Sequence, residues 1–420
     1  MSNDQRRWFA GVDWASEKHD IVVTDSDGKT LGRTKVEHSG EGLARMADWL
    51  VATTGGSPEQ IHVGIEVPHG PVVDTLLERG FVVHSINPKQ VDRFRDRFTV
   101  AGAKDDSRDC DVIASSLRTD MHCFREVSAR DPTTIQLREW SRMAEEHGRD
   151  LRRYVSRLRE QLQRYFPAFL QIGADLDTDW MLELIELVPT PQAAASMSTT
   201  KVVRVLKRNR VRTRDAADVL AALRRPAIVT SAGTTEAAAA HVAALLPSIR
   251  LAKHLSKEAQ AKIDQITNQL IATGSDETDT EPGQSMGQRD ATILLSFPGI
   301  GRTILATLLA EAPDGVRTRD YYALRCQAGI APVTKQSGKS RYVQQRYACN
   351  NRLSNAMHHW ARVAIQHDPA SRAKYDALRG RGKSWGRALR GVADRLLFVV
   401  CAMLKHGTPY NPEIDHAKPA

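Results

Sequence analysis

The sequence contains little cysteine. Its five cysteines are Cys110, Cys123, Cys326, Cys349 and Cys401, and no two of them form a CxxC pair. Cysteines scattered in this way argue against a disulfide framework or a zinc site. They are typical of proteins in a reducing cytoplasm.

Long hydrophobic segments are also lacking. The longest apolar run, residues 396–404, is far shorter than the roughly 20 residues that a membrane-spanning helix needs. Residues 1–13 contain no apolar region of the kind found in signal peptides. We therefore expect a cytoplasmic chain without a membrane partner.

Acidic residues are fewer than basic residues in this sequence. The 420 residues include 59 Lys and Arg against 50 Asp and Glu, a net charge of +9. This balance favours a polyanionic partner, and nucleic acid fits better than a membrane surface. Residues 335–395 are the densest sustained basic region, with 14 Lys and Arg against 3 Asp and Glu, so we expect the partner to be contacted there. The length predicts two or three domains.

The N-terminal part, residues 8–125, alternates between strands and helices. Apolar, β-branched runs predict strands at 8–13, 20–25, 62–67 and 81–86, and the Asp-Ser-Asp-Gly stretch after the second run is typical of a hairpin. Early antiparallel strands followed by β/α alternation predict a ribonuclease-H-like sheet, so this part belongs to the α/β class.

The middle and the C-terminal part are predicted to be all-α. Apolar residues at helical spacing predict two long helices, one ending at Phe166 and one over 236–271. Their stripes suggest an antiparallel or intermolecular coiled coil, although an ordinary helical bundle also fits. Residues 274–288 are acidic and aperiodic, which predicts a flexible linker and a domain boundary. The chain from 291 onward is predicted to be helical and basic.

Acidic residues stand at positions where they could share a site. Asp13 and Glu66 each end an otherwise apolar strand, while Asp106 and Asp109 lie three apart at the start of a predicted helix. Each acid alone is explained as a turn or helix cap. Together they form an oxygen-rich set of the kind that Mg²⁺ prefers, and two such ions promote phosphodiester displacement.

Two glycines form a possible phosphate-binding turn. The sequence Pro-Gly-Ile-Gly at 298–301 follows an apolar helical run, and a Gly-x-Gly turn can expose backbone N–H groups to a phosphate. Gly299 and Gly301 are therefore candidate nucleic-acid contacts, although the same residues end many helices.

A serine stands in a strongly basic stretch, residues 334–346. Ser337-Gly338-Lys339-Ser340 is not a P-loop, because the glycine needed five residues before Gly338 is Val333. Ser337 is thus either part of a surface turn or a nucleophile aimed at a phosphodiester. The cations that could stabilise the reacting phosphate are Lys335, Lys339, Arg341 and Arg346.

Taken in order, these motifs resemble the DEDD transposases of bacterial insertion sequences that are related to the Piv and MooV invertases. The resemblance covers roughly residues 8–125 and 290–410. It implies a RuvC-like domain at 1–128, a helical coiled-coil connector at 129–285, and a C-terminal transposase domain at 286–420.

The resemblance also implies roles and partners. Asp13, Glu66, Asp106 and Asp109 would bind Mg²⁺, and Ser337 would form a transient covalent link to DNA. The expected partners are donor and target double-stranded DNA, a non-coding bridge RNA as guide, and further copies of the chain in a dimer or tetramer. The protein would be associated with the nucleoid when bound to DNA.

Some positions depart from the family pattern. Asp105 replaces a usual threonine, and we prefer Asp106 as the ligand because it keeps the three-residue step to Asp109. Leu353-Ser354 stands where the family often has Leu-Arg, so either a phosphate-contacting arginine is missing or Arg352 takes its place. Shorter members of the family lack much of residues 175–235, so the resemblance assigns no role to the basic run 201–214, where RNA contact and a solvated basic helix both fit.

Three other functions remain open from the sequence alone. A structure-selective nuclease such as a junction resolvase would need the carboxylates but not Ser337. A non-catalytic nucleic-acid-binding protein would need neither. An actin-like sugar kinase shares the strand and hairpin at the start of the chain, but no convincing Gly-rich phosphate loop follows.

Overall fold

The computed structural model of the protein describes residues 7–97, 106–128, 131–272, 285–338 and 340–413, with backbone alone at 106–107, 272 and 285–289. The chain divides into two compact units, residues 1–131 and 132–420. Within the described ranges, no helix is long and apolar enough to cross a membrane. The finer division into three domains stays a prediction.

The first unit is an α/β domain with a central six-stranded sheet. Its strands are β1 (Trp8–Asp13), β2 (Lys18–Thr24), β3 (Thr30–Glu37), β4 (Ile61–Ile65), β5 (Val82–Ser85) and β6 (Arg125–Glu126). Its helices are α1 (Gly40–Thr54), α2 (Pro71–Glu78), α3 (Pro88–Arg95) and α4 (Asp106–Asp120). The strand order is β3-β2-β1-β4-β5-β6, with β4 parallel to both β1 and β5 and the other pairs antiparallel. The predicted mixed α/β sheet is confirmed.

The strands form where the sequence predicted them, because their apolar residues fill the core of the sheet. Ala10, Val12, Val63 and Ile65 are fully buried on the two central strands. The predicted hairpin joins β2 to β3, and its turn is closed by Asp25.

Helix α4 lies unusually close to the two central strands. Gly11 of β1 and Gly64 of β4 are register partners. A Cβ on Gly11 would lie 2.1 Å from the Cys110 carbonyl oxygen, and one on Gly64 would lie 2.7 Å from the Ile113 Cγ2. Only a residue without a side chain allows the helix backbone to approach β1 this closely, and Gly64 leaves the space that the Ile113 side chain fills.

The second unit is predominantly helical. Its first six helices are α5 (Pro132–Tyr165), α6 (Asp179–Leu187), α7 (Pro191–Ser196), α8 (Thr199–Arg208), α9 (Ala216–Leu223) and α10 (Thr234–Ala272). The C-terminal helices are α11 (Ser285–Leu295), α12 (Arg302–Glu311), α13 (Pro313–Arg317), α14 (Tyr321–Gln327), α15 (Asn351–His367), α16 (Pro369–Gly380) and α17 (Trp385–His406). Two strands, β7 (Val333–Ser337) and β8 (Ser340–Gln344), form a separate hairpin.

The long helices α5 and α10 pack against each other in opposite directions. Leu158 near the end of α5 shares a core with Val242 near the start of α10. Leu137 near the start of α5 shares another core with Ile263 near the end of α10. Of the arrangements left open by the sequence, the structure therefore has an antiparallel pair within one chain, and α6 to α9 pack at one end of it.

Two features of the second unit differ from the expectations. The predicted linker at 274–288 extends too far, because α11 begins at Ser285; residues 273–284 lie outside the described residues. The hairpin of β7 and β8 was not predicted within a segment expected to be helical. Its strands are almost wholly exposed, so the sequence has no buried apolar face to reveal them.

Replacement of Gly11 by alanine tests the close approach of α4. The new methyl group would overlap the Cys110 carbonyl oxygen, so the helix must shift away from the sheet. Overpacking of this kind costs about 1–3 kcal/mol or more. We expect Gly11→Ala to lower the urea midpoint of the first unfolding transition.

Gly40→Ala is the matched control, because nothing lies within 4 Å of a Cβ at that position. Equal midpoints for the two variants would contradict the close approach.

Candidate functional site

Asp13 and Glu66 leave the central sheet side by side. Strands β1 and β4 are parallel, and Val12 pairs with Ile65 immediately before the two acids. Both side chains are half-buried at the carboxyl edge of the sheet. The pairing of the strands therefore brings together two of the four predicted metal ligands.

Helix α4 brings Asp109 to the same edge. The neighbouring Cys110 thiol donates a hydrogen bond to the Asp20 carbonyl oxygen at 3.0 Å, and Asp20 is the register partner of Asp13. Burial, reinforced by the charges of Asp13 and Asp20, raises the pKa of the Cys110 thiol to about 12. This buried thiol is therefore held in its protonated, unreactive form at neutral pH.

An arginine that sequence reasoning missed holds Asp109. Arg95 on α3 donates from Nε and Nη2 to the same oxygen, Oδ1 of Asp109, at 2.8 and 2.7 Å. Asp109 is only 5% exposed, so its charge needs this partner. Its Oδ2 has no hydrogen-bond partner among the described residues. The arginine thus fixes the carboxylate and leaves one oxygen available.

Arg95 is itself well held. Burial alone would lower the pKa of its guanidinium, but hydrogen bonds and charge contacts with Asp109 and Asp92 outweigh burial and raise it. Asp92 accepts from Nη1 at 2.9 Å. The guanidinium is therefore a fixed cation beside the acids.

The fourth predicted ligand is only partly described. Asp106 is the first residue of α4, but its side chain is outside the described residues, as is all of Asp105. Among the side chains that are described, no group of three or more His, Cys, Asp or Glu is gathered tightly enough to hold a metal. The complete set of four ligands therefore stays a prediction.

Ser337 lies at the tip of the hairpin in the second unit. It pairs with Ser340 across a turn in which Gly338 has a left-handed backbone, with φ of 52°. The serine is exposed, and no described side chain forms a hydrogen bond with its hydroxyl. Such a hydroxyl is accessible to a large substrate but is not activated by a neighbouring base.

The predicted basic contacts differ in how they are held. Lys335 and Arg341 are exposed on the hairpin without an ion-pair partner in the described part of the chain, and Lys339 lies outside it. In contrast, Arg346 donates to the Ala331 carbonyl oxygen, and Arg352 forms a 2.6 Å ion pair with Glu145 of α5. All five stay predicted contacts, and of the four that the structure describes, Lys335 and Arg341 are the most exposed.

Arg352 belongs to a network that joins α5 to the C-terminal helices. The nearly buried Glu311 accepts hydrogen bonds from Arg142 at 3.0 Å and from Asn350 at 2.8 Å. Burial alone would raise the pKa of Glu311, but these bonds outweigh it and lower it. The Asn350 side chain also caps α15.

The two glycines of the turn at 298–301 lie in different surroundings. Gly299 has φ of 88°, and a Cβ there would lie 3.1 Å from the Trp360 ring, so the interior packing explains it. Gly301 precedes α12, and nothing lies within 4 Å of a Cβ on it. Only Gly301 has open space, and its contact with phosphate stays a prediction.

A groove of about 520 Å³ lies beside the hairpin, between β8 and α17. Exposed Tyr342 and Tyr347 line it together with Arg387 and Arg390. Aromatic rings beside arginines suit both the bases and the phosphates of a nucleic acid. This hairpin groove was not predicted, because its lining residues are separated in the sequence.

Two family models match the chain. One, described as a transposase (DEDD_Tnp_IS110), matches residues 10–167. The other, described as a transposase of the IS116/IS110/IS902 family, matches residues 291–376. The two matches contain the carboxylates and the serine hairpin, respectively.

Whole proteins are similar as well. The chain is 56% identical over 214 residues to y4uE of Sinorhizobium fredii, named as a transposase; the match covers 51% of this chain and 60% of that protein. It is 31% identical over 412 residues to the protein of Streptomyces coelicolor named as the mini-circle transposase for IS117, covering 94% of each. A protein of insertion element IS116 in Streptomyces clavuligerus is 26% identical over 98% of each chain.

Replacement of Arg95 by lysine tests its hold on Asp109. Lysine keeps the charge but loses the planar fork that fixes Oδ1. Partners of metal ligands typically contribute 10–100-fold to metal affinity. We therefore expect Arg95→Lys to weaken Mn²⁺ binding by about 10-fold or more, measured by titration calorimetry on the folded protein.

Arg93→Lys on the same helix is the control, because Arg93 is exposed and has no partner among the described residues. If both variants bind Mn²⁺ as the unchanged protein does, Arg95 does not position a metal ligand.

Replacement of Arg341 by glutamine tests the exposed hairpin as a phosphate contact. Loss of one phosphate contact lowers the slope of log affinity against log salt by about 0.9 for duplex DNA. We expect Arg341→Gln to show this change without a loss of stability.

Arg372→Gln removes the same charge from an arginine paired with Asp376 at 2.9 Å, and it should leave the slope unchanged. Identical slopes for both variants would remove Arg341 from the interface.

Proposed function

Because this chain belongs to the IS110/IS116 family of insertion-sequence transposases, we propose that it cuts DNA with a divalent cation held by the carboxylates of its first unit. The observation that carries the proposal is the emergence of Asp13 and Glu66 from adjacent parallel strands, with Asp109 fixed at the same edge. Carboxylate oxygens at one edge of the sheet are the ligand type that a hard divalent cation prefers.

The donor type of these residues suits a hard divalent cation such as Mg²⁺, although the described side chains are not gathered into a metal site. The donors are carboxylate oxygens, and Asp109 offers Oδ2 because Arg95 occupies only Oδ1. Asp106, three residues before Asp109 on α4, is the proposed fourth ligand.

The chain's own groups have separate tasks in strand cleavage. When bound, a divalent cation neutralises charge at the scissile phosphate and lowers the pKa of an attacking water. Asp13, Glu66 and Asp109 hold their oxygens in place on rigid elements, and Arg95 prevents rotation of Asp109. The exposed cations of the hairpin and the hairpin groove bind the DNA backbone.

A second candidate chemistry uses Ser337 as the nucleophile. The observation that favours it is the exposure of this hydroxyl at a hairpin tip between Lys335 and Arg341. Its Oγ would form a bond to phosphorus while one ester oxygen of the DNA leaves, and the serine proton would pass to solvent or to that oxygen. Such a serine needs activation from groups beyond those that contact it here.

The resemblance also suggests partners for this activity. A non-coding guide RNA and assembly into a dimer or tetramer are part of the proposal, as are donor and target DNA.

Two variants separate the metal-dependent cleavage from the serine chemistry. Glu66→Gln removes a proposed ligand charge, so we expect it to abolish Mg²⁺-dependent cutting of DNA that contains the element ends. Ser337→Ala is expected to leave metal-dependent nicking in place if water is the nucleophile. The measurement is gel analysis of nicked DNA with and without chelator.

Covalent capture provides the second readout. The reaction is stopped with detergent and the protein is examined for attached DNA. An adduct that Ser337→Ala abolishes would establish the serine as nucleophile. Undiminished cutting by Glu66→Gln, or in the presence of chelator, would overturn the metal role of the acids.

A further inference from the structure

Two arginines of the second unit have a left-handed backbone. Arg210 has φ of 54° and Arg319 has φ of 57°, and in the described part of the chain they are the only residues other than glycine with positive φ. This conformation costs free energy for any residue with a Cβ, so glycine is usual there. An arginine keeps this conformation only where other interactions compensate its free-energy cost.

At Arg319 an ion pair of the side chain provides this compensation. Its Nη1 and Nη2 donate to the two carboxylate oxygens of Asp290, each at 2.7 Å. Asp290 is only 5% exposed, so the pair neutralises a buried charge. Loss of this arginine would leave the acid without its cation.

Arg210 has no comparable role inside the fold. Its backbone closes the C-terminal end of α8, where Arg210 N–H bonds to the Lys207 carbonyl oxygen and Val211 N–H bonds to that of Leu206. Glycine would make both bonds at lower cost. The side chain is exposed and has no partner among the described residues. The position therefore keeps an arginine that the fold does not use.

The exposed face of α8, which precedes Arg210, is also positively charged. Lys201, Arg204 and Lys207 are exposed, and none has an ion-pair partner within the described ranges. At about 100° per residue they lie within roughly 120° of the helix circumference. The opposite face, with Val202 and Val205, is buried in the core formed with α5 and α10.

Arg212 follows Arg210 and is also exposed without a partner in the described chain. No acidic residue occurs between positions 198 and 214. We define the basic ridge as Lys201, Arg204, Lys207, Arg210 and Arg212. The acid that bonds to this helix, Glu183 of α6, pairs with Arg208 and not with any of the five. Five cations in one short segment without ion pairs of their own repel one another, and a polyanion relieves that repulsion.

We propose that the basic ridge binds the phosphate backbone of double-stranded DNA. This rests on the proposed function and adds a second DNA contact, on α8 and the residues that follow it, separate from the hairpin and its groove in the sequence. The ten-residue helix α8 is about 15 Å long, which is enough to reach phosphates on both sides of a groove about 12 Å wide.

The composition of the ridge favours a duplex over a single strand. Proteins that bind single strands stack the bases on aromatic side chains, and residues 190–229 contain no aromatic residue. A convex helix also fits the wide major groove of DNA better than the deep, narrow one of an RNA helix. RNA binding is therefore an alternative outcome of the test.

The test compares Arg210→Gly with the unchanged full-length protein. Thermal unfolding reports the backbone effect, and anisotropy of a labelled duplex of arbitrary sequence reports binding across a salt series. We expect an unchanged or higher midpoint, weaker binding, and a salt slope lower by about 0.9. A variant that gains stability and loses affinity cannot be explained by misfolding.

A second variant combines three substitutions on α8: Lys201→Gln, Arg204→Gln and Lys207→Gln. It should lower the slope of log affinity against log salt by about 0.9 for each phosphate contact that is lost. Lys262→Gln on the exposed surface of α10 is the control and should leave the slope unchanged. These are binding measurements without Mg²⁺, so they stand even if Glu66→Gln cuts DNA normally. Unchanged duplex binding by the combined variant, or loss of single-stranded RNA binding alone, would overturn the proposal.

Discussion

The contact of α4 with the central strands determines the geometry of the first unit. Gly11 and Gly64 lie side by side in the sheet; the backbone of the helix rests on Gly11, and its Ile113 side chain rests on Gly64. A larger residue at either position would lift the helix and move Asp109 away from the strand ends. The candidate active site therefore depends on two residues that contribute no chemistry.

Arginines serve two distinct purposes in this protein. Arg95, Arg319 and Arg352 each hold an acid in place, and the first two hold acids that are almost buried. Arg210 and Arg341 are exposed and have no such partner among the described residues. A pair with a buried acid fixes local structure, whereas an exposed cation is available to DNA. A positive net charge alone does not distinguish these uses.

Local patterns allowed part of the site to be predicted. Asp13 and Glu66 were identifiable because each follows a buried apolar strand, and the sheet confirms that these strands are neighbours. Arg95 was missed because its contact with Asp109 joins two helices. The serine hairpin was missed because its exposed strands lack an apolar face. Sequence periodicity reports burial along one element, and it does not report which elements meet.

The most direct test of the account is the location of a bound cation. Crystals of the protein would be soaked in Mn²⁺, and an anomalous difference map would be calculated from data recorded at the manganese absorption edge. The account predicts a peak within ligand-bonding distance of oxygens of Asp13, Glu66 and Asp109, with Arg95 still bonded to Oδ1 of Asp109. A fully occupied peak elsewhere, with none at these carboxylates, would contradict it.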